Sequence, residues 1–221
     1  MQTEKIKTVA ATMTIAGASL LLYFSTRLAP PKVDARLQEA LGQVMAEEGA
    51  KLLGSGGHLT LICLDTSTIK NPNADYQVKA FHRALRKANL PLAGTNSIKL
   101  DPLRLVRVPA GDFVEIMRKQ SDNDVIVSFL GPPVLNAEQR AKLGETKPRI
   151  LALCSGWMPR QVDLRELFAQ NLLHVAVISR SAPTPTAPSS NDAKDWFDQF
   201  YQIVMKSNLS ELPLLTNGVP R

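Results

Sequence analysis

From Leu59 to Ile178 the chain alternates short apolar runs with stretches of helical periodicity. Leu59–Leu64, Asp124–Phe129, Arg149–Cys154 and Leu173–Ile178 are bounded by turn formers and read as strands buried on both faces. A further strand, at Ile98–Leu100 or Leu103–Val108, is interrupted by Asp101-Pro102 and belongs at an edge of the sheet, because proline cannot donate to the ladder. Asn71-Pro72 reads as an N-cap with proline at the first helical position. Ala74, Val78, Phe81, Leu85 and Ala88 then line one helical face. A short helix follows from Asp112 to Gln120. Asn136/Gln139 and Asp163/Glu166 stand at capping-box spacing and open two more. A last helix carries Trp196, Phe197, Phe200, Tyr201 and Val204.

Such alternation predicts a parallel sheet with helices on both faces. Right-handed crossovers make 2-1-3-4-5 the economical strand order. The expectation is an α/β, Rossmann-like three-layer fold with a five-stranded parallel sheet, preceded by an N-terminal transmembrane helix.

The membrane segment is Thr8–Ser25, which contains no charged residue. At about 1.5 Å per residue it reaches roughly 27 Å, close to the hydrocarbon thickness of a bilayer. Lys5 and Lys7 precede it and Arg27 follows. It is either a signal peptide or a retained signal anchor. Proline follows the only suitable small residue, Ala29, so retention is favoured. Basic residues flank both ends, and the short N-terminal flank favours an inside amino terminus, with residues 27–221 outside the cytoplasm. The opposite topology stays open. The lipid bilayer is thus one expected partner, and a protein in the membrane another.

Beyond the anchor (residues 1–26), residues 27–57 hold Pro30-Pro31 and an amphipathic helix with Val33, Leu37, Leu41, Val44, Met45, Leu52 and Leu53 in one stripe. That helix is either a stalk or packs back on the domain at residues 58–208. A tail, 209–221, carries Leu212, Leu214 and Leu215.

The formal net charge is +6, with 26 Lys and Arg against 20 Asp and Glu. The charges are dispersed; the densest basic cluster is His82, Arg83, Arg86 and Lys87 on one helix. No aromatic residues interleave with basic ones, so a nucleic-acid surface is not indicated. With 2 Cys and 3 His, neither a disulfide framework nor a zinc site is expected. Cys63 and Cys154 fall on strands separated by a third, too far apart for a bridge.

In open parallel sheets, ligands bind beyond the carboxyl ends of the strands. Those ends offer Asp65, Thr66, Ser67, Ser128, Ser155, Trp157 and Arg180: hydroxyls, a carboxylate, a guanidinium and a tryptophan. Such a set suits a small polar ligand, with Arg180 meeting an anionic group and Trp157 stacking. The same residue types also occupy strand-to-helix turns for conformational reasons alone. Ser155 lacks a Gly-x-Ser-x-Gly elbow, no histidine is placed for Cys154, and there is no dinucleotide or Walker fingerprint. No catalytic, cofactor or metal residue is assigned.

The first strand ending in Asp65, Asn71-Pro72 before a helix, Asp124-Val-Ile-Val and Pro148-Arg-Ile-Leu-Ala-Leu together resemble one lobe of a type I periplasmic binding protein or sugar-repressor core. The resemblance covers Leu59 to Arg180. It implies the same α/β lobe and a solute site at the carboxyl edge; those proteins hold ligand between two lobes, and this chain shows one. Two main readings follow. The leading one is a membrane-anchored, non-catalytic interaction module, an accessory subunit that docks through Val33–Leu53 or the tail. The alternative is a tethered solute-binding or sensory domain for a small polar or anionic ligand. An enzyme of unrecognised type is the third possibility.

Overall fold

The computed structural model describes residues 34–68, 70–101, 106–144, 147–156, 158–180 and 192–212, together with Ile15 and residues 17–19. The chain divides into two compact units, Met1–Val33 and Asp34–Arg221. In the first, Ile15 and residues 17–19 are helical and exposed; the rest of Thr8–Ser25 lies outside the described residues. Among the described residues no helix is long and apolar enough to cross a membrane.

The second unit is a three-layer α/β domain. Its six strands are β1 (Leu59–Leu64), β2 (Leu92–Ile98), β3 (Val125–Ser128), β4 (Arg149–Cys154), β5 (Val175–Ser179) and β6 (Tyr201–Met205). They stand in the order β2-β1-β3-β4-β5-β6, parallel except for β6. The helices are α1 (Ala35–Leu52), α2 (Pro72–Lys87), α3 (Ala110–Arg118), α4 (Ala137–Ala141), α5 (Met158–Gln161), α6 (Leu164–Ala169) and α7 (Ala193–Phe200), with a final 3₁₀ turn at Lys206–Glu211.

The predicted order of the first five strands is the observed one, and the sheet gains a sixth. Tyr201–Met205 was expected to continue the last helix, because Phe197, Tyr201 and Val204 recur at helical spacing. Instead α7 stops at Phe200, Tyr201 turns to extended geometry (φ −127°, ψ 162°), and the segment pairs antiparallel with β5. Aromatic and β-branched residues favour this pleated, half-buried position. The second strand also shifts, to Leu92–Ile98. It is an edge strand as expected, but its exposed small and polar residues (Ala93, Thr95, Ser97) give it no apolar run.

Side chains alternate across the sheet and build two cores. Leu59, Leu61, Val125, Val127, Leu151, Leu153, Val175 and Val177 face α1, α2 and α7. Ile62, Ile126, Ile150, Ala152, Ala176 and Ile178 face α3 and α6. Local signals set the helix starts. Asn71 accepts from the Ala74 N–H at 3.2 Å with Pro72 behind it. Asn136 and Gln139 form a complete capping box, and Asp163 accepts from the Glu166 N–H at 3.0 Å.

The amphipathic helix packs back on the domain. Leu41 and Met45 are fully buried and Val44 nearly so. The crossing with α2 depends on Gly42: a Cβ there would lie 2.2 Å from the Gln77 carbonyl oxygen. Beside it the Gln77 side chain donates to Gln38 at 2.6 Å, and Arg83 pairs with Glu39 at 3.2 Å.

The amino edge of the sheet is tied together by polar groups. Asp124 accepts from the His58 N–H (2.7 Å), the Ser121 N–H (2.7 Å) and the Ser121 hydroxyl (2.8 Å). Burial, the largest single influence, pushes its carboxyl upward, but these hydrogen bonds outweigh it and hold Asp124 below the ordinary carboxylate value. His174 accepts the Ile150 N–H at Nδ1, 3.1 Å away. Burial, helped by the Arg149 charge, holds His174 below its ordinary value of 6.5.

Two outcomes are expected. Gly42→Ala forces α1 off α2 and costs about 2 kcal/mol of stability, measurable by urea denaturation. As pH falls below 6.5 the unfolded chain takes up a proton that folded His174 refuses, so stability declines until the folded group titrates. His174→Asn keeps an acceptor for Ile150 and flattens that decline in melts between about pH 7 and 5. His82, also held low by burial, acts in the same direction.

Candidate functional site

The carboxyl edge is where the strands deliver polar side chains to loops. Asp65 continues β1: its N–H donates to the Ile98 carbonyl (2.9 Å), and its carboxylate accepts the Ser67 N–H (2.9 Å). The Ser67 hydroxyl, then its N–H, hold the Asp65 carboxyl below the usual range, with a smaller contribution from Lys99. The Thr66 hydroxyl donates to Asp75 at 2.7 Å, fastening the loop to the first turn of α2. Asp65, Thr66 and Ser67 therefore form one hydrogen-bonded turn.

The other expected residues do not join it. Ser128 is fully buried and its oxygen accepts the Leu130 N–H at 3.3 Å. The following loop closes over the strand end: Gly131 adopts φ +94°, and a Cβ there would strike Met158 at 2.5 Å. Ser155 is half-buried, its carbonyl accepting from Met158. Trp157 lies outside the described residues. Arg180 stands at the end of β5, three strand spacings or roughly 14 Å from β1. Its Nε donates to the carbonyls of Asp198 (2.7 Å) and Tyr201 (3.0 Å), and its Nη1 to Gln202 (3.2 Å). The guanidinium thus pins the corner between α7 and β6.

An open cavity of about 460 Å³ lies at the other end of this edge, past β2. Lys99, Asp101, Arg107, Val108 and Pro109 line it from the loop between β2 and α3, and Val134 from the loop after β3. It brings two cationic side chains and the Asp101 carboxylate to one concavity beside the Asp65 turn. Sequence reasoning missed Lys99 and Arg107. They became edge residues only once β2 was found to end at Ile98, and a lysine and an arginine in a loop carry no signal of their own.

Cys63 and Cys154 are buried and unbridged. Burial pushes both thiols up, Cys154 far above the ordinary range, which keeps them protonated and poorly nucleophilic. Among the described residues no three His, Cys, Asp or Glu side chains converge as a metal site.

No protein-family model matches this sequence, and no curated protein matches it. Solved structures do. The arabinose-binding protein AraP of Geobacillus stearothermophilus superposes with a TM-score of 0.52 at 15% identity, over 80% of this chain and 63% of that one. An ABC-transporter solute-binding protein of Burkholderia graminis C4D1M in complex with D-arabinose gives 0.49 at 16% identity, over 79% and 61%. A carbohydrate-transporter solute-binding protein of Agrobacterium radiobacter, also with D-arabinose, gives 0.48 at 10%, over 80% and 61%. The chain spans about three fifths of the length of these proteins. The domain has the fold of a periplasmic-binding-protein lobe, as the strand-end motifs implied.

Arg180→Ala is expected to loosen the α7–β6 corner, costing about 1 kcal/mol and speeding amide exchange in Tyr201–Met205. Hydrogen exchange with mass spectrometry reads this directly.

Proposed function

We propose that this chain is a membrane-tethered recognition domain, facing away from the cytoplasm, that takes a small anionic ligand at the carboxyl edge of its sheet. The cavity past β2 carries the reading, because it sets Lys99 and Arg107 together at the edge where open α/β sheets bind ligands. Its charged lining, two cations against the single carboxylate of Asp101, carries a net positive charge, which suits a carboxylate or phosphate better than a neutral sugar. The fold supports the solute-binding part of the reading, since AraP, which it resembles, is an arabinose-binding protein; the anionic preference rests on the cavity alone. The tether is Thr8–Ser25, whose uncharged length matches a bilayer.

An accessory subunit docking through the Val33–Leu53 stripe has less to stand on. Leu41, Val44 and Met45 of that stripe are occupied by the domain's own sheet, and Leu212 of the tail is buried as well. Leu214 and Leu215 lie outside the described residues.

Calorimetric titration of the detergent-solubilised full chain tests the proposal against a panel of pentoses, sugar phosphates and dicarboxylates. An anionic member binds, and Lys99→Ala and Arg107→Ala each weaken it at least about tenfold, near 1.4 kcal/mol. Binding of neutral pentoses alone, or equal affinity in both variants, rejects the site.

A further inference from the structure

The sheet ends in two outer strands, and the chain treats them differently. An outer strand presents a row of unpaired backbone groups that must be covered, blunted or matched by another chain. At β6 the domain blunts its own row: the Asn208 side chain donates to the Ile203 carbonyl at 3.1 Å and accepts the Met205 N–H at 2.6 Å, standing where a further strand would stand. No such group lies against β2 among the described residues. The Asp65 N–H donates to the Ile98 carbonyl, so Ile98 faces β1, and by alternation Thr95 and Ser97 aim their N–H and C=O groups outward. The ladder with β1 skips Ala93, which leaves Gly94–Ile98 as its regular stretch. Apart from that bulge, β2 holds none of the charged residues or prolines that ordinarily guard an edge.

A basic wall stands beside this open edge. On one face of the sheet α2 lies over β1, and α1 lies over β3 and β4. Gln77, Ala80 and Arg83 of α2 meet α1, while Phe81 and Leu85 enter the core beneath. At 3.6 residues per turn the remaining flank is Lys79, His82 and Arg86, and it faces the side on which β2 lies. Thr95 and Ser97 pair in register with Leu61 and Cys63 of that same core, so their side chains are on the α2 face, where they are exposed. Lys79 and Arg86 are exposed too, and among the described residues neither enters an ion pair. Asp75, on the same flank nearer the carboxyl edge, accepts from the Thr66 hydroxyl at 2.7 Å.

Charge decides between the possible occupants. Antiparallel pairing of β2 with β2 of a second copy would set the two Lys79 and Arg86 flanks against each other, and like charges repel. The chain's own tail, residues 213–221, contains no acidic residue. We infer that β2 accepts, as a seventh strand, an extended segment of a partner protein with acidic residues at alternate positions. Its backbone pairs with Thr95 and Ser97, and its carboxylates on the α2 face meet Lys79 and Arg86. Such a strand runs about 4.8 Å beyond β2, within reach of long cationic side chains. Strand addition draws affinity from main-chain hydrogen bonds and selectivity from every second side chain.

Residue-resolved hydrogen exchange of the detergent-solubilised full chain, with an eight-residue peptide alternating glutamate and threonine as the probe, provides the test. The peptide is expected to slow exchange of the Thr95 and Ser97 amides at least about tenfold and to leave Asn96, on the inward side of the alternation, unchanged. The pair Lys79→Glu and Arg86→Glu should abolish that protection. So should Thr95→Pro, which removes an outward N–H and leaves the domain's own ladder intact. Three results overturn the inference: no slowing at Thr95 and Ser97, equal slowing by a peptide with glutamine in place of glutamate, or slowing that grows with protein concentration in the absence of peptide. The last of these assigns the edge to a second copy.

Discussion

The seat of α1 on the sheet is the contact on which the remaining architecture depends. A parallel sheet whose inner strands are apolar on both sides must be covered on both sides. On one face α2 and α7 flank the sheet, and α1 packs against both as well as against β3 and β4. The fit is permitted by missing side chains. Gly42 lets α1 approach the α2 backbone, and a Cβ on Gly49 would come within 3.0 Å of Val127 and 3.2 Å of Leu59. A helix that the sequence leaves as either a stalk or a packed element is the central slab of one layer, holding a fully buried leucine and methionine.

Because α1 is fixed, the two edges of the sheet have different characters. The amino edge is closed. Asp124 gathers three hydrogen bonds there, and Gly54 and Gly57 press on Asn123 so closely that a Cβ on either would clash. The carboxyl edge is formed by longer loops, holds the cavity, and keeps its exposed apolar residues. Rigidity at one end and open, side-chain-rich loops at the other is the division of labour by which α/β folds carry binding sites.

Where the sequence was legible, the signal was local. Arg149–Cys154 is the observed β4 to the residue, because an apolar run closed by Ser155-Gly156 has few alternatives. Asn71-Pro72 and Asn136/Gln139 mark helix starts through bonds made within four residues. Where the reading failed, the deciding partner was distant. Leu92–Ile98 is a strand because β1 lies beside it, and its own small and polar residues scarcely announce it. Tyr201–Met205 has spacing that fits a helix as well as a strand, and only pairing with β5 decides between them. The site followed the same rule. Asp65 was legible as a strand end. Arg180 was legible as a cation at the edge, yet its task is set by carbonyls contributed from α7 and β6.

The edge thus holds two arginines of opposite employment. Arg180 reaches backbone carbonyls at 2.7 and 3.0 Å through its Nε, which commits that donor to the corner between α7 and β6. Arg107 lines a concavity with Lys99 and the Asp101 carboxylate, at the loop end of the sheet where α/β folds gather polar side chains.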